Sequence, residues 1–401
     1  MDQNEGMIVT MNSRKDGNEL NKKTKSRWIR TGIFSILTIT FMMAGVFFNT
    51  TNKSSEKDAP TTSRNKGNTE EKANTQEPVP VSETTIKINA AGDFTLGTDE
   101  TFGYSGSFVS EASANGYSYF VEGLGNLFIE DDFTSVNLET TLTTATEKAA
   151  KTFRFKGDPA YAEILELGGI EAVNLANNHI FDYLEQGYRD TMATLENQGI
   201  GYFGYEHQYI TTIKGVKLGA LGYEGWADTI EIRSTIEQDI QTLQDQGVQI
   251  ILVHFHWGNE RQYVPTESQK SLARYTIDQG ADLILGHHPH VIQGIEEYNG
   301  KFIVYSLGNF MFGGNRNPSD KDTFVFQQTF YLENDTLTDK KEIKVIPFSI
   351  SSVSSRNDYQ PTLLTGSEHD RVKQKIIDAS NKINGSDWMV YEKKEEVVSS
   401  E

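Results

Sequence analysis

From residue 85 to about residue 350, short apolar clusters alternate with amphipathic stretches. Strands are predicted at 86–91, 134–138, 172–175, 216–221, 248–253, 283–285, 302–305 and 324–332, where apolar and β-branched residues concentrate between turn formers. Helices are predicted between several of them, at 160–167, 183–198, 232–246 and 268–279, with a further one at 368–383 before a charged tail. Repetition of strand, helix and strand predicts an α/β domain of layered sheets.

The N-terminal part has a different pattern. Lys22, Lys23, Lys25, Arg27 and Arg30 precede an uncharged apolar run over residues 31–48. Such a run spans about 27 Å as a helix, close to a bilayer core. Basic residues before it and none directly after place the N-terminus in the cytoplasm. A cleaved export signal is the competing reading; the length of the run and the lack of a clear small-x-small site favour an anchor. Residues 50–84 are polar, with prolines at 60, 78 and 80 and no apolar period. The predicted organisation is a cytoplasmic tail (1–30), one transmembrane helix (31–49), a flexible extracytoplasmic linker (50–84), the main domain (85–350), and a C-terminal helix and tail (351–401). The protein is thus expected at the plasma membrane, single-pass, with its main domain outside.

Charge and composition narrow the chemistry. The 401 residues carry a formal charge of −19, which argues against nucleic acid as a partner. Cysteine is absent, excluding disulfides, thiolate metal sites, a cysteine nucleophile and a lipidated cysteine. A metal would have to sit on His, Asp, Glu, Asn or backbone.

Five segments place such residues at the ends of predicted strands, where open α/β sheets gather ligands. They are Gly92-Asp93, Asn137-Leu138-Glu139, Ala176-Asn177-Asn178-His179, the stretch from His254 to Glu260, and Gly286-His287-His288-Pro289-His290. Five of the eight histidines fall between 254 and 290, a clustering that favours divalent metal over isolated structural roles. His288 and His290 flank a proline and can present two rings from one rigid turn. Asn137 and Glu139 share a strand face by their two-residue spacing. His256 is the stronger candidate of its segment, and His254 is placed to orient a ligand. Asn177-Asn178-His179 also reads as a helix N-cap with a neighbouring histidine, and Asn178, a weak oxygen donor, as a ligand only beside stronger ones. Asn309, in Ser306-Leu307-Gly308-Asn309-Phe310, is expected to hold loops by hydrogen bonds. No Walker loop, dinucleotide fingerprint or nucleophile elbow is present.

In this order and spacing, the segments resemble the CapA/PgsA family of poly-γ-glutamate capsule biosynthesis proteins, over roughly residues 86–350. That family is in turn similar to calcineurin-like metallophosphoesterases, layered α/β sandwiches with metals at strand ends. The resemblance implies Asp93, Glu139, Asn178, His256, His288 and His290 as ligands of one or two divalent metal ions. It implies His179 as the catalytic proton donor. Asn137, Asn177, His254, His287 and Asn309 are expected behind the ligands. It implies membrane poly-γ-glutamate synthetase subunits and the anionic polymer as partners. One departure stands out: phosphoesterases begin with Asp-x-His, and Asp93-Phe94-Thr95 supplies threonine. A one-metal site or an inactive relic therefore stands beside the two-metal reading. A surface metal-dependent hydrolase of envelope material, phosphoesterase or amidase, and a noncatalytic scaffold are the alternative functions.

Overall fold

The computed structural model describes residues 82–393. The predicted cytoplasmic tail, transmembrane helix and nearly all of the linker lie outside the described residues. Among the described residues no helix is long and apolar enough to cross a membrane.

Two sheets pack face to face. The first has eight strands in the order Thr362–Leu363, Thr336–Ser349, Asp322–Glu333, Glu83–Thr95, Phe133–Leu138, Ala172–Asn174 and Gly201–Phe203, with Asn309–Phe312 also pairing to Glu83–Thr95. The second has six, in the order Ile295–Tyr298, Lys301–Val304, Leu283–His287, Ile250–Trp257, Val216–Gly225 and Tyr209–Ile213. A small third sheet joins Thr98–Asp99, Phe155–Gly157 and Thr141–Leu142. Every strand predicted from the sequence is present, several of them longer than expected.

Side chains from the facing surfaces, among them Ile86, Ile88, Phe133, Leu218, Ile250, Leu252, Leu283 and Phe326, form one buried core between the sheets. The outer face of the first sheet is covered by Phe108, Ile164, Leu165 and Leu195 from helical segments. The outer face of the second is covered by Ile236, Ile240 and Leu243 of helix Ile230–Asp245 and Leu272 and Ile277 of helix Glu267–Gln279. The result is the expected mixed α/β architecture, in four layers.

Local chemistry sets the helix ends. Gln269 N donates to Thr266 Oγ1 at 3.2 Å and Thr266 N donates back to Gln269 Oε1 at 2.9 Å, a reciprocal cap worth about 1 kcal/mol. Gly280, at φ 118°, then ends the helix in a conformation that side chains rarely adopt.

The C-terminal part is built into the same body. Helix Gly366–Asn381 buries Val372 and Ile376, and Trp388 beyond it is 1% exposed. The first sheet begins at Glu83, inside the last residues of the expected linker, because Glu83 and Thr84 pair with Glu333 and Leu332.

Asp131 sits behind the first sheet, accepting hydrogen bonds from Asn89 Nδ2 at 2.7 Å and Thr134 Oγ1 at 2.6 Å. Burial, reinforced by the nearby Glu171 charge, pushes its carboxyl up to about 7. The native state therefore holds this proton more tightly than the unfolded chain does. Its contribution to stability is complete below about pH 4 and is lost as pH rises through 7. The loss is about 2 kcal/mol after allowance for partial exposure. Asp131→Asn keeps the acceptor without the charge and should remove this slope, unfolding at higher urea than wild type at pH 8 but not at pH 4.5. Parallel pH profiles for the two proteins would contradict the assignment.

Candidate metal centre

The site lies at the carboxyl ends of the parallel strands Glu83–Thr95, Phe133–Leu138, Ile250–Trp257 and Leu283–His287. Strand alternation selects its side chains. In Ile250–Trp257, Ile250 and Leu252 face the other sheet, while Ile251, Val253, Phe255 and Trp257 face the helices. By the same period His254 and His256 face inward. In the opposing strand Ser135 and Asn137 follow Phe133 on the inner face. The two pairs then meet across the sandwich: Ser135 Oγ lies 2.9 Å from His254 Nε2, and Asn137 Nδ2 lies 3.3 Å from His256 Nδ1.

Asp93 reaches the same face by a break in the alternation. Ala90 opposes Ser135 and Asp93 opposes Asn137, so three steps on one strand match two on its neighbour. This bulge turns Asp93 inward, a usual role for bulges near functional sites. At its centre is Gly92, where a Cβ would stand 1.9 Å from Gly308 O.

Two groups of donor atoms result, each with all atoms within 4.8 Å of one another: Asp93, Glu139 and His290, and Glu139, His256 and His288. Glu139 belongs to both. Asn178 joins the second group, its Oδ1 2.8 Å from His256 Nε2. His288 and His290 take backbone φ of 91° and 57°, left-handed conformations costing roughly 1–3 kcal/mol each, which cluster at functional sites. That strain places the two rings in different groups, with their centroids 5.6 Å apart.

The electrostatics are those of a site short of positive charge. Glu139 is fully buried, and neither carboxylate oxygen has a hydrogen-bond partner among the described residues. Burial pushes its carboxyl well up. Burial also pushes His256 well down and His288 down to about 3, keeping both imidazoles neutral and able to ligate. His290 goes the other way: burial lowers it, but Glu139 and Asp93 outweigh burial and push it up to about 9. Burial would raise Asp93, yet hydrogen bonds to His287 and His290 hold it well below the usual range. The orphaned Glu139 oxygens and an equally unpartnered buried His288 Nδ1 fit divalent cations with mixed oxygen and imidazole donors.

The remaining candidates stand around these donors. Asn137 Nδ2 donates to Asp93 Oδ1 at 2.9 Å. Asn177 Nδ2 donates to Leu138 O at 2.9 Å, fixing the turn into Glu139. His254 Nδ1 lies 2.9 Å from His287 Nε2, and His287 Nδ1 lies 3.5 Å from Asp93 Oδ1. Asn309 Oδ1 lies 2.9 Å from His290 Nδ1. His179 Nε2 is 3.9 Å from Glu139 Oε1, and its Nδ1 is 2.6 Å from Asp182 Oδ2. Thr95, at the departure from Asp-x-His, is buried with its hydroxyl unpartnered. Both donor groups assemble without it.

A model of the family described as bacterial capsule synthesis protein PGA_cap matches residues 87–314. The chain belongs to this family. It is similar to the PGA biosynthesis protein CapA of Bacillus subtilis (strain 168), 28% identical over 262 residues, covering 60% of this chain and 67% of that protein. It is similar to the capsule biosynthesis protein CapA of Bacillus anthracis, 30% identical over 188 residues, 41% of this chain and 46% of that one. A probable polyglutamine synthesis accessory protein of Mycobacterium tuberculosis is 30% identical over 208 residues, 44% of this chain and 55% of that one. The aligned segments thus span about half the length of the last two. Among solved structures, a phosphatase from Mycoplasma pneumoniae superposes with a TM-score of 0.41 at 15% identity, over 66% of this chain and 95% of that one.

Several residues of this PGA_cap site are missed by sequence reasoning. Asn174 Nδ2 donates to Asn137 Oδ1 at 2.9 Å, extending the amide network to a third strand. Lys151 Nζ donates to Asn178 O at 2.6 Å and Asp182 Oδ1 at 2.7 Å, from a loop distant in sequence. Trp226 stands edge-on to His256 and His288, with centroids 5.6 and 4.7 Å away. Only Asp182 carried a readable signal, as the acid closing Asn-His-x-x-Asp.

Proposed function

We propose that this protein is a membrane-anchored accessory factor of poly-γ-glutamate capsule synthesis, held by residues 31–49, whose external domain acts on the anionic polymer at a centre of two divalent cations. One observation carries the reading: Glu139, buried and without a hydrogen-bond partner, is shared by two donor groups. Asp93, Glu139 and His290 would hold one ion. Glu139, Asn178, His256 and His288 would hold the other. Such a pair, when bound, supplies Lewis acidity and offsets charge on an anionic group.

The chain's own residues do the rest. Asp182 accepts from His179 Nδ1 and favours its imidazolium against the burial that lowers it, so that the Nε2–H facing Glu139 would be the proton handed to a departing atom, leaving neutral imidazole. Lys151 holds Asp182 and the Asn178 carbonyl in one place. Asn137, Asn177, His254, His287 and Asn309 orient the donors. The family membership and the relatives named for capsule and polyglutamine synthesis support the pathway. The basic residues before the apolar run 31–48 support the anchor and its direction.

Deleting the protein from its host should abolish surface polymer and leave cytoplasmic glutamate unchanged. Complementation with wild type should restore the polymer, whereas His179→Ala should lower its rate of appearance by about 10²–10⁴-fold with metal content intact. A normal polymer layer in the deletion strain would end this reading.

A further inference from the structure

Eight arginines lie in residues 82–393. Six pair with carboxylates: Arg154, Arg189, Arg233, Arg274, Arg356 and Arg371. The other two, Arg261 and Arg316, pair with none among the described residues, and both line one cavity of about 400 Å³ that opens beside His179, His290 and Asn309. In a chain with a formal charge of −19, two unpaired guanidinium groups at the mouth of the candidate site call for a physical reason.

Their backbones are fixed. Arg261 takes φ 61°, a conformation disfavoured for side-chain-bearing residues. Its N–H donates to Pro289 O at 2.8 Å, tying it to the turn between His288 and His290. Arg316 donates through Nη2 to Gly103 O, while its Nε is buried and unpartnered. Two acids share the cavity wall. Asp320 is already neutralised by Lys375 at 2.7 Å and accepts from Tyr263 OH at 3.0 Å. Glu260 alone opposes the two arginines, so the cavity is net cationic in an acidic protein.

Four phenylalanines, Phe102, Phe153, Phe155 and Phe312, form an aromatic part of the wall. Phe102 and Phe153 have centroids 6.1 Å apart, and Phe153 is 49% exposed. Phe155 stacks on His179 at 4.2 Å, and Phe312 lies 4.8 Å from His290. Arg261 can take a carboxylate through two parallel N–H bonds, and Arg316, with Nη2 on Gly103 O and Nε buried, through its Nη1. Aromatic rings seat methylene groups, which a compact anion such as phosphate does not have. Charge beside apolar surface fits a flexible chain of carboxylates separated by methylenes.

We propose that Arg261 and Arg316 form a polycarboxylate-binding subsite, which grips carboxylates of an extended acyl chain, seats its methylenes on Phe102 and Phe153, and presents one linkage to His179 and the donor groups. The inference deepens the function proposed above and rests on it.

The test is binding of a linear penta-γ-glutamate to the full-length chain in detergent, beside the neutral penta-γ-glutamine and inorganic phosphate, with Arg261→Gln, Arg316→Gln and the double variant. The expected result is salt-sensitive binding of the pentaglutamate that weakens about tenfold per arginine, with weak binding of the neutral peptide and metal content unchanged in every variant. Equal affinity in wild type and double variant overturns the subsite. So does phosphate that binds as tightly and depends on the same arginines, which would assign a phosphoryl ligand, and so does a wild-type chain that binds no pentaglutamate. These outcomes are separable from the pathway: lost surface polymer in the deletion strain with arginine-independent binding removes only the subsite.

Discussion

Glu139→Ala is expected to empty both metal positions at once. Its carboxylate belongs to each donor group, so removing it takes an oxygen ligand and a compensating negative charge from both. His290→Ala and His256→Ala each strip one group and leave the other three-residue set intact. Metal analysis of full-length protein purified without chelator should therefore give about two equivalents in wild type, about one in either histidine variant, and less than about a tenth in Glu139→Ala. Surface polymer should fail to return with Glu139→Ala. A Glu139→Ala protein that keeps one full equivalent would show that the groups are not joined through this residue.

Gly92→Ala should be among the most damaging methyl additions in the chain. The new Cβ would stand 1.9 Å from Gly308 O, and that carbonyl already accepts the Asp93 N–H at 3.0 Å. Neither side is a flexible side chain, so backbone must move. The cost is about 3 kcal/mol or more. Movement flattens the bulge that turns Asp93 inward, so the variant should lose stability in urea and also the ion held by Asp93, while the His256 group is less affected. Wild-type urea midpoint and metal content in Gly92→Ala would refute the part assigned to the bulge.

The contrast between these two positions shows what the sequence makes legible. Glu139, His256, His288 and His290 stand out because metal-competent residues recur at strand ends, and the strands follow from runs such as 250–253. The inward facing of His254 and His256 follows from a period of two once the strand is known to continue through Trp257. The bulge at Gly92 leaves no such trace, since an extra residue is defined only against the neighbouring strand. Strand Thr336–Ser349 is absent from the predicted strands for a related reason: Asp339, Lys340, Lys341 and Glu342 carry no apolar alternation, and the stretch is drawn out by pairs such as Lys341 with Phe330 and Glu342 with Thr329. Lys151, Asn174 and Arg261 acquire their positions from tertiary contacts and, for Arg261, from a left-handed backbone. The histidine pair 288 and 290 was legible as chelating, yet the positive φ at both sends the rings to different groups.

The most direct test of the paired centre is electron paramagnetic resonance of the full-length chain loaded with Mn²⁺. Two ions sharing Glu139 would lie about 3.5–4 Å apart and give the many-line spectrum of an exchange-coupled pair, collapsing to single-ion signals in His256→Ala and His290→Ala. A six-line spectrum of isolated Mn²⁺ in wild type, or no bound Mn²⁺, would contradict a two-cation centre bridged by Glu139.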